Sequence, residues 1–326
     1  MPSSRRRLGV ALLLDEPVRS EVEGLRRAVG DPSLGRMDPH ITLVPPVNVR
    51  TADLPKALSL LRSAAAGQPG PLLGTFGPPG TFLPDNPVLY LQVGGDLERL
   101  AGLRDAVFHP PLARSLTWPW VPHITVGDGV PEERIRDALG VLGGYVAAAH
   151  FDRVVLLEEQ RGRSWVPIAD ACLEPKVTVG TGGMAVEITR GRVLDPEILA
   201  LLGRDRPSDA RAAGAEGQLQ AATTPVFPNP IVVSARTGGE PVGSAFAWVD
   251  LSGPHVAVFV AGGRRRQGVG GHLLAHLEHA ARSAGWDFEV LLADGPAGFY
   301  ESRSAWARSP SPAVTRTRRT STGSAS

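Results

Sequence analysis

The feature that most constrains this chain is that its first half is written twice. Val10 to Val29 reads VALLLDEPVRSEVEGLRRAV, and Val88 to Val107 reads VLYLQVGGDLERLAGLRDAV. Each runs from an apolar strand into an amphipathic helix, and each ends in Gly-Leu-Arg-x-Ala-Val, at Gly24 to Val29 and Gly102 to Val107. The order then repeats. Pro39-His40-Ile41-Thr42 follows the first helix and Pro122-His123-Ile124-Thr125 the second, with five extra loop residues in the second copy. Helical spacing returns at Leu54 to Ala65 and, after the acidic start Glu132-Glu133, at Ile135 to Leu142. β-like sequence closes each copy, weakly around Leu72 to Leu83, clearly around Val154 to Leu157 and Trp165 to Ile168. Two copies of a mixed α+β unit predict a bilobal, pseudo-twofold fold. Corresponding elements then face each other, and His40 and His123 converge on one cleft.

Side chains alternate along a strand, so residues i and i+2 share a face. His40 points with Thr42 and His123 with Thr125, while Ile41 and Ile124 turn into the core. Two imidazoles and two hydroxyls on one cleft floor suit in-line attack at a phosphodiester. An imidazole titrates near pH ~6.5, so one ring can take a proton from the attacking oxygen while the other delivers one to the leaving oxygen. Each transfer is typically worth about 10²–10⁴ in rate. Threonine hydroxyls can donate to the non-bridging oxygens, where charge develops. No metal is required. A single His-x-Thr on a strand is ordinarily a packing element; the reading rests on two copies at matching places, in a chain with 8 His.

Paired His-x-Thr motifs with apolar flanks resemble the 2H phosphoesterase superfamily, and within it the 2′-5′ RNA ligase and RNA 2′,3′-cyclic phosphodiesterase group. The resemblance covers about residues 1–175. It implies that His40 and His123 are the acid–base pair, without saying which is which, and that Thr42 and Thr125 hold the phosphate. It also implies an RNA or nucleotide substrate with a 2′,3′-cyclic phosphate end, opened to a 2′-phosphate or joined in reverse to a 5′-hydroxyl. Single-stranded RNA ends are read by stacking and by basic side chains. Phe82, Tyr90, Trp118, Trp120 and Trp165 are the stacking candidates, each with core filling as its alternative. Arg161 and Arg163, in a polar turn, either reach phosphate or face solvent.

The second half does not repeat the first. Val177 to Gly183 reads as a strand or linker, Met184 to Thr189 as a strand, Pro196 to Leu202 as a short helix, and Asp205 to Ala222 as a helix or mobile loop. Ile231 to Arg236, Gly243 to Asp250 and His255 to Val260 read as successive antiparallel strands. The last runs into Gly262-Gly263-Arg264-Arg265-Arg266-Gln267-Gly268-Val269-Gly270-Gly271, and helical sequence starts at once with His272-Leu273-Leu274. A glycine-rich strand-to-helix turn lets backbone N–H groups and a helix N-terminus approach an anion. With Arg265, Gly268 and Gly270 at the marked positions, and Phe299-Tyr300-Glu301 further on after a strand at Trp286 to Leu292, the segment over about 180–308 resembles the GNAT acetyltransferases. The resemblance implies acetyl-CoA as cofactor. Pantetheine would pair with the Phe259–Val260 backbone and the pyrophosphate would sit on Arg265, Arg266, Gln267, Gly268, Val269 and Gly270. Tyr300 would protonate the leaving thiolate, and either Glu289 or Asp294 would be the base. Gly262 replaces the usual Pro. Ser302 to Trp306 only faintly matches the expected Gly-aromatic turn, and Ser309 to Ser326 has nine Ser or Thr and three Arg in 18 residues. Such composition does not bury enough apolar area to order itself. The expectation is a shortened or frameshifted end, leaving the acetyltransferase sheet without its final hairpin.

The reading is therefore two α+β domains in tandem: 1–175 phosphoesterase-like, 176–308 acetyltransferase-like with a sheet expected to be incomplete, 309–326 a disordered tail. The 326 residues suffice for two cores. With 34 basic against 33 acidic residues, any nucleic-acid contact must be a local patch. The lone Cys172 excludes an internal disulfide framework. Arg5-Arg6-Arg7 before Leu8 to Leu14 mimics a signal peptide but ends at Asp15-Glu16-Pro17 without a cleavage site, so a buried first strand and a cytoplasmic protein are expected. Partners expected are RNA ends or cyclic nucleotides and an amine acceptor, with no membrane. Three functions remain open: phosphoesterase or ligase with an appended acetyltransferase, acetyltransferase with a nucleotide- or RNA-binding module, and a binder with both sites decayed.

Overall fold

The computed structural model describes residues 4–180, 185–204, 230–250 and 253–286. The first half comprises β1 (Arg5–Leu13), α1 (Val18–Val29), β2 (His40–Arg50), α2 (Leu54–Ala66), β3 (Leu72–Thr81), β4 (Val88–Gly95), α3 (Leu97–Val107), β5 (His123–Asp128), α4 (Glu132–Val141), β6 (Ala147–Phe151), β7 (Arg153–Glu159) and β8 (Trp165–Cys172). The strands form one sheet in the order β6-β3-β4-β5-β2-β1-β7-β8. The order is symmetric about the β5–β2 seam, and the seam is the single antiparallel pair Ile41↔Ile124. The α+β, pseudo-twofold architecture is the one the repeat predicts.

Two details differ from a simple tandem of copies. The closing strands are exchanged: β3 follows the first copy yet pairs with β4 of the second, while β7 and β8 follow the second copy and extend the sheet from β1. The helices cross as well, α1 onto β5 and α3 onto β2. The strand alignment is also one residue out of step. Ala11 stands opposite Thr42 and Tyr90 opposite Thr125, so Ala11 and Tyr90 are the equivalent residues. Irregularities in β1 and β4 absorb the slip. Register follows which side chains must face the core, not the best letter match.

All four helices lie on one face. Val22 and Val29 of α1, Leu58 and Leu61 of α2, Leu100 and Leu103 of α3 and Ile135 of α4 share one buried cluster with Leu12, Ile41, Leu91 and Ile124. The opposite face of the central strands carries no helix among the described residues, and it carries the His-x-Thr side chains.

The second sheet, in the order β13-β12-β11-β10-β9, comprises β9 (Val177–Val179), β10 (Val186–Gly191), β11 (Ile231–Thr237), β12 (Glu240–Asp250) and β13 (Gly253–Val260). Among the described residues, two helices accompany it, α5 (Pro196–Arg204) and α6 (Val269–Ser283). α6 packs Val269, Leu273, Leu274, Leu277 and Ala281 against Val233, Ala245 and Ala247. The strand at Trp286 to Leu292, the segment at Asp205 to Ala222, Glu289, Asp294, Tyr300 and the tail lie outside the described residues, apart from Trp286 itself.

Charged groups join the two sheets. Arg192 donates to Asp152 at 2.7 Å and to Asp15 at 3.2 Å. The Asp170 carboxylate accepts the backbone N–H of Arg192 at 2.8 Å and of Val193 at 2.9 Å. Gly191 makes that approach possible, since a Cβ there would stand 2.5 Å from Asp170 Oδ1. Arg62 of α2 and the buried Arg236 of β11 both reach Asp195 and Glu197, Arg236 at 2.8 and 2.7 Å. No described helix is long and apolar enough to cross a membrane.

Candidate active site

Because β2 and β5 pair antiparallel at Ile41↔Ile124, His40 stands opposite Thr125 and Thr42 opposite His123. Both isoleucines are fully buried on the helix side. The other four residues therefore share the open face, in a diagonal arrangement in which each ring neighbours the hydroxyl of the other motif. The seam thus brings together the four residues singled out from the sequence.

Each ring is held by the same device. His40 Nδ1 lies 2.7 Å from the Asp38 carbonyl oxygen, and His123 Nδ1 lies 2.7 Å from that of Val121. A carbonyl only accepts, so each Nδ1 carries the hydrogen and each Nε2 is left for chemistry. Both rings are half-buried. Burial, with the Arg26 guanidinium and the His123 ring nearby, pulls the His40 imidazole down to about 4, against the opposing pull of the Asp38 carbonyl. Burial also holds His123 below the ordinary imidazole value, opposed by the Val121 carbonyl.

Two residues that shape the approach to these rings come from the repeated Gly-Leu-Arg-x-Ala-Val segment. Arg26, buried in α1, donates to Asp31 at 2.8 Å and to the Met37 carbonyl at 2.7 Å. It thereby fixes the loop that delivers His40. Arg104, at the matching place in α3, lies 4.1 Å over the Phe108 ring and 5.5 Å from the centre of Trp120, in the segment that delivers His123. The repeated Arg was visible in the sequence, but its role was not, because the loops it ties are unlike in length and composition.

The aromatic candidates separate. Phe82 stacks on Tyr90 at 4.4 Å, and both rings meet His123 edge-on, at 5.1 and 5.3 Å. Trp165 lines a pocket of about 170 Å³ with Gly9, Ala11, Met37, His40 and Leu157. Trp120 donates its indole N–H to the Thr42 carbonyl at 2.8 Å and so ties the first motif to the loop before the second. Trp118 is 68% exposed. Arg161 and Arg163 sit in an exposed single turn between β7 and β8, with Arg163 at φ 63°. Among the described residues, no group of three or more His, Cys, Asp or Glu stands where it could hold a metal.

In the second half, β13 ends at Val260 and a turn leads into α6. Gly268 caps the helix in the left-handed region at φ 86°, and Arg266 is left-handed at φ 63°. The first N–H groups of a helix lack acceptors in the preceding turn of helix, so this turn presents a backbone cradle at the N-terminus of α6. Arg265 Nε donates to the Val260 carbonyl at 3.0 Å, and Gln267 Nε2 to that of Gly263 at 3.2 Å. Their side chains thus fold back on the turn and leave the cradle to backbone. β13 is the outer strand of the described sheet, with Phe259 buried and Val260 at its end.

Comparison with known proteins agrees with both halves. Residues 14–163 match the sequence model of the 2′-5′ RNA ligase superfamily, and residues 202–302 that of the acetyltransferase (GNAT) family. A Bacillus cereus (strain G9842) protein whose name assigns it to the phosphoesterases is 28% identical over 161 residues, 49% of this chain and 92% of its own length. A Bacillus anthracis (strain CDC 684 / NRRL 3495) protein of like name is 27% identical over the same shares. Among solved structures, the TT0787 protein of Thermus thermophilus is 20% identical, covering 51% of this chain and 97% of that one, with a TM-score of 0.39. Escherichia coli LigT complexed with 3′-AMP is 22% identical, covering 52% and 99%, with a TM-score of 0.37. The chain thus carries one segment similar to the 2′-5′ RNA ligase superfamily and a second similar to the acetyltransferase (GNAT) family.

Proposed function

We propose that residues 1–175 form a metal-independent phosphoesterase that opens a 2′,3′-cyclic phosphate at the end of an RNA or nucleotide to a 2′-phosphate. The observation that carries this reading is the Ile41↔Ile124 seam, which sets both His-x-Thr pairs on one open face. One neutral Nε2 takes a proton from water as its oxygen bonds to phosphorus. The P–O3′ bond breaks, and the other ring, protonated, gives its Nε2 proton to O3′. Thr42 and Thr125 donate hydrogen bonds to the non-bridging oxygens, where the transition state concentrates charge. In ligation a 5′-hydroxyl would take the place of water as the nucleophile, and the same P–O3′ bond would break to leave a 2′-5′ phosphodiester. In EDTA, the protein is expected to hydrolyse a nucleoside 2′,3′-cyclic phosphate. His40→Ala and His123→Ala should each remove at least about 10² of turnover while leaving the circular dichroism spectrum unchanged. Full rate in either variant overturns the assignment.

Residues 176–308 are proposed as an acetyl-CoA-dependent N-acetyltransferase. Arg265 to Gly270 would hold the pyrophosphate through backbone N–H groups, and β13 at Phe259 and Val260, the outer strand of the described sheet, would face the pantetheine. Acetyl-CoA, when bound, supplies an activated acetyl thioester. Titration calorimetry with acetyl-CoA tests this half: Gly268→Val, which forces a β-branched residue into a left-handed position, should weaken binding at least about 10-fold. Absence of binding to the unaltered protein refutes it.

A further inference from the structure

The four residues at the seam are related by a near-twofold, so by themselves they would hold a phosphodiester equally well in two opposite orientations. The flanks break that symmetry. At equivalent places in the register, the first copy has Ala11 beside Thr42 and the second has Tyr90 beside Thr125. On the second flank Tyr90 carries Phe82 stacked at 4.4 Å, and the pair packs onto His123. That flank is filled by the protein's own rings. On the first flank the small residues Gly9 and Ala11 leave a pocket of about 170 Å³ beside His40. A Cβ on Gly9 would stand 3.3 Å from the Val44 carbonyl oxygen and 3.5 Å from the Trp165 ring, so the missing side chain gives the indole its place. Ala11 is buried, and Leu157, Met37 and Trp165 pack around it. An apolar cavity of about 150 Å³ takes a benzene ring, so a pocket of this size and lining fits a flat heteroaromatic ring.

We infer that the Trp165 pocket is the nucleobase subsite, and that the filled Phe82–Tyr90 flank excludes a base, so that the nucleoside bearing the cyclic phosphate lies on the His40 side. The inference rests on the phosphoesterase reading of the same cleft and adds to it a ligand class, an orientation and a specificity residue. Stacking of a base on an aromatic ring tolerates any base, so this pocket selects for a nucleoside without choosing among bases.

The test compares a nucleoside 2′-monophosphate with ribose 2-phosphate, which lacks the base, by titration calorimetry on the full chain. The unaltered protein should bind the nucleotide at least about 10-fold more tightly than the base-free ester. Trp165→Ala should reduce that ratio to about 1, and Trp165→Phe should restore most of it. Ala11→Leu, which fills the pocket from the floor, should reduce it as well; if that variant does not fold, the Trp165 pair decides alone. Equal affinity for both esters in the unaltered protein overturns the subsite while leaving the phosphoesterase reading standing, as does an undiminished ratio in Trp165→Ala. If neither ester binds, the phosphoesterase reading fails and takes the subsite with it.

Discussion

At the scale of single residues, the two imidazoles are alike in geometry and both depressed in basicity. A depressed imidazole resists protonation in the folded state, so its contribution to stability is full above pH 6.5 and is lost as the pH falls toward the folded value. For His40 that window runs from 6.5 down to about 4. His40→Gln should therefore gain on the unaltered protein by on the order of 2 kcal/mol between pH 7 and pH 4.5, read from urea unfolding at the two pH values. A constant difference would show that His40 titrates normally. The same direction at both rings sets the activity profile. The proposed hydrolysis needs one ring protonated and one neutral, so kcat/KM should peak on the acid side of 6.5. A peak above pH 7 would contradict the burial of the pair. Arg26 is the residue whose loss should be felt twice. Arg26→Ala strands the buried Asp31 carboxylate and frees the loop before His40. It should cost about 3–5 kcal/mol in stability and lower kcat for cyclic phosphate hydrolysis. The tetrapeptides were legible because they are short and doubled. The role of Arg26 was not, because its partners, the Asp31 carboxylate and the Met37 carbonyl, are brought to it only by the folded loop.

At the scale of elements, helices with clear apolar spacing were legible nearly to their ends: Leu54 to Ala65 became α2, and the two repeat helices became α1 and α3. β6 was not, because its Ala-rich sequence has little strand preference. It is an edge strand held by pairing Leu72 to Phe76 of β3 with Ala147 to Phe151. β3 reads weakly for a related reason: LLGTFGPPGT is interrupted by Gly and Pro, yet pairing with β4 extends it to Thr81. Its irregularity between Phe76 and Pro79 centres on Gly77. A Cβ at Gly77 would lie 2.0 Å from the Tyr145 carbonyl oxygen, and its φ is 104°. Gly77→Ala should thus cost about 1–3 kcal/mol by thermal unfolding, whereas Gly140→Ala, on an open face of α4, should be neutral or mildly stabilising. Equal effects at the two positions would mean that β3 does not need its bend.

At the scale of the whole molecule, the exchange of closing strands and the crossing of α1 and α3 make each lobe depend on the other. Neither copy of the repeat owns a complete half of the sheet. The two sheets are joined by charged groups rather than by a shared apolar core, through Arg62, Arg192 and Asp170. We expect one calorimetric transition for the unaltered protein, and two after Arg62→Ala and Arg192→Ala are combined, each substitution costing about 1–3 kcal/mol at the junction. Two transitions in the unaltered protein would show that the junction does not couple the halves. The sequence by itself determined the duplicated α+β unit, the paired His-x-Thr motifs, the strand-to-helix turn at Gly262 to Gly271 and the apolar faces that each element must bury. These depend on spacing along the chain, which a period of two or 3.6 reveals. Only the tertiary structure decided the strand register, the exchange of closing strands and which flank of the cleft is open. Those are fixed by side chains far apart in sequence competing for one interior, as Ala11 and Tyr90 do at equivalent places, and no local pattern records the outcome.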